Sequence, residues 1–134
     1  MVIESKHVTV HQSIREVFDF LKDTNNILEL MPQDKISDWK SDETSCSFKV
    51  QGGFIISFVQ VETTNPTRIF LKSGEKAPFP FTLTINLEEK DGHHTKGYLR
   101  FEGEVNMFLK MMIQNPLDNL FNFMSEKLRE RYAR

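Results

Sequence analysis

The spacing of apolar residues along this chain changes twice, and the two changes divide it into three parts. Residues up to Val10 carry β-branched side chains and alternate, which predicts a strand. In "SIREVFDFLKD" the residues Ile14, Val17, Phe18 and Leu21 then recur at helical spacing. Ser13 stands at the N-cap position with Glu16 three places on, a capping box that would satisfy two orphan amide donors. "TNNILELMP" reads as a second short helix, capped by Asn25 or Asn26 and ended by Pro32.

From Lys35 the period becomes two. Strands are predicted at 35–40, 44–51, 54–63, 67–74, 80–90 and 94–105, separated by "SDET", "GG", "TNP", "EKAPFP" and "DGH". Most separators are turn-length, so successive strands should pair antiparallel. The helical period returns near Asn106 and runs to the end, roughly 40 Å at 1.5 Å per residue. Pro116 lies inside it and should kink it. The fold class is therefore α+β: a curved antiparallel seven-stranded sheet, two short helices after the first strand, and a long kinked C-terminal helix.

An alternating sheet must cover its apolar face, and only the terminal helix is long enough to do so. The stripe Leu109, Ile113, Leu117, Leu120, Met124 and Leu128 would face the sheet. Before Pro116 the residues Met107, Phe108, Met111 and Met112 extend the apolar surface almost all the way round. That half should be wrapped by loops or the short helices, or border a pocket.

Turn lengths suggest a register. A two-residue turn at Gly52–Gly53 pairs Gln51 with Phe54, so Cys46, Phe48 and Val50 share a face with Ile55, Ser57 and Val59. A three-residue loop at 64–66 pairs Val61 with Ile69, Val59 with Leu71 and Ser57 with Ser73, and sets Glu62 opposite Arg68. Phe81, Leu83, Ile85 and Leu87 alternate with polar residues, as do Leu99 and Phe101. Phe54, Ile56, Phe58 and Phe70 then fall on the outer face. There they would form a contact surface for a partner such as a second copy of the chain. A bulge in strand 54–63 is the alternative, and would turn some of them inward.

Composition narrows the chemistry. At 134 residues the chain is long enough for one domain, and a net charge of −2 gives no footprint for nucleic acid. One cysteine, Cys46, permits no internal disulfide and fits a reducing compartment. No apolar run approaches the ~20 residues of a transmembrane helix, and the first residues do not resemble a secretory signal. A cytoplasmic protein is expected.

The predicted inner faces of the central strands carry no Asp, Glu, His, Lys, Arg or Tyr. No catalytic residue is assigned and no cofactor is implied. His93 and His94 fall in a turn, while His7 and His11 have no carboxylate or cysteine at metal-ligand spacing, so no metal site is assigned either. An empty apolar void of ~300 Å³ would cost about 7 kcal/mol, comparable with the ~5–15 kcal/mol stability of a whole domain. The space under the helix must therefore hold Phe and Met side chains, water or a ligand.

Residues 8 to 32, "VTVHQSIREVFDFLKDTNNILELMP", resemble the opening of the helix-grip superfamily, also called START-like, SRPBCC or Bet v 1-like. The shared wording is a strand, a Ser cap, a Val-Phe-x-x-Leu helix and a short second helix ending in Pro. The long terminal helix agrees. The resemblance implies a curved sheet gripping that helix, often around a cavity for lipids, quinones or polyketides. It does not extend to the glycine-rich loop of the plant-allergen members, because that turn reads "SDETS" here. The expected function is binding or transport of a hydrophobic small molecule. Phe48, Val59, Leu71, Leu83, Phe101 and Met112 would wall the cavity, and Ser57 and Ser73 would meet a polar group. A polyketide cyclase- or isomerase-like enzyme on the same fold is the alternative, as is an interaction module with a filled core.

Overall fold

The computed structural model describes residues 1–51 and 53–133. Eight antiparallel strands form one sheet: β1 Val2–Glu4, β2 Val8–Val10, β3 Ile36–Ser41, β4 Ser45–Val50, β5 Phe54–Thr64, β6 Arg68–Ser73, β7 Phe81–Asp91 and β8 His94–Gly103. The order across the sheet is β1-β8-β7-β6-β5-β4-β3, and β2 also pairs with β8. The expected first strand is thus two, interrupted at Ser5–His7, and this gives eight strands instead of seven.

Helix α1 (Ile14–Lys22) buries Ile14, Val17, Phe18 and Leu21. Only half of its capping box forms. Ser13 Oγ accepts from the Glu16 amide at 3.3 Å, but the Ser13 amide donates to the Gln12 side chain and not to Glu16. The second short helix is a 3₁₀ helix, Thr24–Leu30, and its cap is Asp23, two or three residues earlier than expected. Helix α2 runs Met107–Arg131 through Pro116, with Asn106 as N-cap.

Helix α2 packs on the sheet through Ile113, Leu117, Leu120, Phe121, Met124 and Leu128. Its far end is clasped from outside. The Arg131 guanidinium lies 4.0 Å from the Phe20 ring centroid and pairs with Glu29 at 2.7 Å.

The β4–β5 hairpin differs from the sequence expectation by one residue. Val50, not Gln51, pairs with Phe54, and three residues separate the strands. Gly53 closes this loop at φ +97, a left-handed conformation open to glycine at little cost, and its amide donates to Val50 at 3.0 Å. Gly52 lies outside the described residues. A one-residue shift moves every side chain to the opposite face. Ile56 and Phe58 accordingly point into the core, 2% and 3% exposed, while Ile55 and Val59 face out.

The β5–β6 hairpin also departs from expectation. Thr64 pairs with Arg68, Glu62 with Phe70 and Gln60 with Leu71, so Val61 is an extra residue in the ladder. Glu62 is not opposite Arg68. The four-residue outer patch therefore does not exist. Two of its members are core residues, Phe54 is half-buried against the core, and half-buried Phe70 lies under the Arg68 guanidinium at 4.9 Å.

Candidate functional site

Aromatic side chains fill much of the space between sheet and helix. Phe79, Phe81, Phe101 and Phe121 form one group, with successive ring centroids 5.1 to 5.8 Å apart. At the other end Trp39 stacks on Phe48 at 5.3 Å, and Phe48 meets Phe58 edge-on at 6.3 Å. A small apolar pocket beside Leu30, Ile85, Leu99 and Met124 holds about 20 Å³. That is room for one water molecule at most, in apolar surroundings.

A ligand-sized space exists instead at the rim. A cleft of about 540 Å³ separates α2 from the turn that leads into β3 and from the end of β4. Its α2 wall is Asn115, Pro116, Asn119, Leu120 and Phe123; its opposite wall is Pro32, Asp34, Lys35, Ile36, Val50 and Gln51. The opposite wall is held by backbone bonds. Lys35 donates to Pro32 at 2.9 Å, Gln51 donates to Lys35 at 2.8 Å, and Ile36 pairs with Val50. On the helix side Pro116 has no amide proton, so the Met112 carbonyl loses its usual helical donor.

The cleft combines an apolar floor with a polar rim. Ile36, Val50, Leu120 and Phe123 supply the first. The carboxamides of Gln51, Asn115 and Asn119 supply the second, with the Asp34 carboxylate and the Lys35 ammonium. Among the described residues these five side chains make no hydrogen bond or ion pair with one another or with the rest of the fold. A further hollow of about 560 Å³ beside Val2, Lys72 and Glu102 lies open along the sheet edge and has no facing wall of helix.

None of the residues expected to bind ligand lines this cleft. Phe48, Leu71, Leu83 and Phe101 are core residues at 2% exposure or less. Val59 is 41% exposed on the outer face, and Met112 is 55% exposed on α2. Ser57 and Ser73 are not neighbours, because Ser73 pairs with Phe58. Ser73 Oγ accepts from the Phe81 amide at 3.2 Å, and Ser57 is covered by Gly74, whose amide donates to its carbonyl at 2.7 Å. The residues that do line the cleft left one trace in the sequence. "QNPLDN" interrupts the apolar helix with Asn115 and Asn119 one turn apart around Pro116.

The histidines and their carboxylate partners lie toward the outer surface. His94 Nδ1 sits 2.9 Å from Asp91, and its Nε2 sits 3.0 Å from His11 Nδ1. The His93 amide, followed by the His94 ring, holds the Asp91 carboxyl below its ordinary range. His7 bonds Glu4 at 2.8 Å and stacks flat on Tyr98 at 4.0 Å. Each histidine that the sequence left without a carboxylate thus has polar company, brought together by the pairing of β8 with β1 and β2. No group of three His, Cys, Asp or Glu among the described residues is arranged to hold a metal ion. Burial pushes the Cys46 thiol far up, so it stays protonated. Among the described residues no helix is long and apolar enough to cross a membrane.

No protein-family model and no curated protein sequence matches this chain. Solved structures do. A START superfamily protein from Mycobacterium smegmatis aligns with a TM-score of 0.71 at 13% identity, over 98% of this chain and 96% of that one. A protein from Thermobifida fusca gives 0.72 at 15% identity, over 98% and 92%. Norcoclaurine synthase from Thalictrum flavum, in complex with dopamine and hydroxybenzaldehyde, gives 0.66 at 13% identity, over 100% and 89%. With its antiparallel sheet closed around a long C-terminal helix, this chain has the helix-grip fold of START-like and Bet v 1-like proteins.

Proposed function

We propose that this protein binds a hydrophobic small molecule carrying a polar group, in the cleft between α2 and the β3–β4 edge. The observation that carries the reading is the cleft itself. Its volume of about 540 Å³ lies within the ~300–1,000 Å³ range of small-molecule sites, whereas the pocket of about 20 Å³ between sheet and helix does not. An apolar body would cover Ile36, Val50, Leu120 and Phe123, and the unpartnered carboxamides would meet hydroxyl or carbonyl groups at the rim. Binding would then satisfy Asn115 and Asn119 at no cost to internal hydrogen bonds.

The fold supports the same reading. Norcoclaurine synthase, solved with two aromatic molecules, shares it, although 13% identity carries no residue across. In this reading the ligand is bound and not transformed, and the Asp34 carboxylate and Lys35 ammonium at the rim serve as polar contacts.

Native mass spectrometry of protein purified from its own host should show a co-purifying apolar mass. Asn119→Trp, which fills the cleft from an exposed position, should remove that mass and weaken binding of a fluorescent fatty acid at least tenfold, with the melting temperature unchanged. Unaltered binding by this variant would place the ligand elsewhere and sink the proposal.

A further inference from the structure

The first two turns of α2 carry an apolar face that no described residue covers. Met107, Phe108 and Met111 are 73%, 74% and 76% exposed, and Met112 is 55% exposed. The sequence expectation that loops or the short helices would wrap this half is not met. Met107 and Met111 stand one turn apart, as do Phe108 and Met112, so the four form two adjacent rows. Ile113 and Leu117, 1% and 0% exposed, fix the opposite side of the helix to the core and so hold this face outward.

Charge and area say what fits there. From Val105 to Leu117 the chain carries one charge, Lys110, and no carboxylate. A partner at this face therefore desolvates no anion, and the half-buried Lys110 can lay its stem along apolar surface while its ammonium reaches outward. The four side chains offer roughly 500–600 Å² of apolar surface, at ~200 Å² for a large side chain mostly exposed. A stable dimer buries about 800 Å² on each partner. The face is thus small for a second copy of the chain. A fluid apolar phase has no such minimum, because it closes around whatever protrudes, and flexible methionines adapt to it without a matching surface.

We propose that the N-terminal end of α2 docks this protein on a lipid bilayer, with Met107, Phe108, Met111 and Met112 inserted at the boundary between headgroups and acyl chains. The docking is driven by apolar contact and not by charge, since a single lysine gives little attraction to anionic lipid. The proposal does not depend on the cleft. Phe108 and Met112 lie on the same flank of α2 as Asn115 and Asn119, so docking brings the cleft to the membrane surface.

Flotation of the full chain with phosphatidylcholine vesicles tests this. The wild-type protein should float with neutral vesicles, and 0.5 M salt should change the partition less than twofold. Phe108→Glu/Met111→Glu should lower it tenfold or more while the melting temperature holds. Phe108→Trp should gain a blue-shifted emission, quenched by brominated phosphatidylcholine, over the Trp39 signal. Asn119→Trp should float at least as well as the wild type, which separates this surface from the cleft. Failure of the wild type to float, or unchanged flotation of the double variant, overturns the proposal. So does light scattering that finds a wild-type dimer dispersed by the double variant, since a second copy then covers the face.

Discussion

Ser125 donates a 2.9 Å hydrogen bond to Ser5 beneath α2, and both residues are buried. Ser5 Oγ also accepts from the Leu99 amide at 2.8 Å and donates to the Lys6 carbonyl at 3.1 Å. One hydroxyl thereby joins the helix, the break between β1 and β2, and strand β8. The two serines are not equivalent. Ser5→Ala strands a buried backbone amide and should cost about 1–3 kcal/mol, whereas Ser125→Ala removes only one of the three bonds at Ser5 Oγ and should cost about 0.5–1.5 kcal/mol. Urea denaturation of both variants checks the order; a larger loss at Ser125 would contradict it.

Phe58 and Val59 are adjacent and answer oppositely to charge. Phe58 is 3% exposed and Val59 is 41% exposed. Phe58→Glu buries an unpaired carboxylate, a penalty of several kcal/mol against a total stability of ~5–15 kcal/mol, so the variant should be largely unfolded. Val59→Glu should stay within about 1 kcal/mol of the wild type. Circular dichroism melts distinguish them. Reversed outcomes would restore the two-residue turn at Gly52–Gly53.

That pair also marks how far the sequence could be read. In β7 the register was plain, because Phe81, Leu83, Ile85 and Leu87 alternate with Thr82, Thr84, Asn86 and Glu88. In β5 both faces are apolar near the turn: Ile55 and Val59 outside, Ile56 and Phe58 inside. Polarity could not choose between a two- and a three-residue loop, and Gly53 permits either. The bulge at Val61 was open only as an alternative, since no residue type in β5 marks its place. The helix stripe from Ile113 to Leu128 was legible from its period. The cleft was not, because its walls come from residues 32–36, 50–51 and 115–123, which only the tertiary fold brings together.

Glu126 connects α2 to the chain start. It pairs with Lys6 at 3.0 Å and with Arg129 one turn away. The Arg129 hydrogen bond, followed by that of Lys6, holds its carboxyl down to about 2. A depressed folded-state pKa stabilises the fold above the unfolded value of ~4.3, and this contribution is lost as pH falls through the folded value. The melting-temperature gap between wild type and Glu126→Gln should therefore be full at pH 5, shrink by pH 3 and largely vanish near pH 2. A gap constant from pH 5 to pH 2 would show that the carboxylate contributes nothing. Comparison with this variant cancels the acid response of Glu4, Asp42 and Asp91, which are lowered in the same direction.

Gly74 passes so close to Ser57 that the two positions should be coupled. A Cβ built at Gly74 would lie 2.3 Å from Ser57 Oγ but 3.4 Å from Ser57 Cβ, so only the hydroxyl stands in the way. The backbone cannot simply retreat, because the Gly74 amide donates to the Ser57 carbonyl at 2.7 Å. Gly74→Ala should therefore cost about 1–3 kcal/mol, the usual range for overpacking. Ser57→Ala should be close to neutral, since its hydroxyl makes no hydrogen bond to a described residue. With the hydroxyl gone the new methyl group meets ordinary van der Waals contact, so Ser57→Ala/Gly74→Ala should regain most of the loss. Such a cycle should give a coupling of at least ~0.5 kcal/mol. Additive losses would mean that Ser57 turns its hydroxyl aside freely, and that the close approach is not what keeps a glycine at position 74.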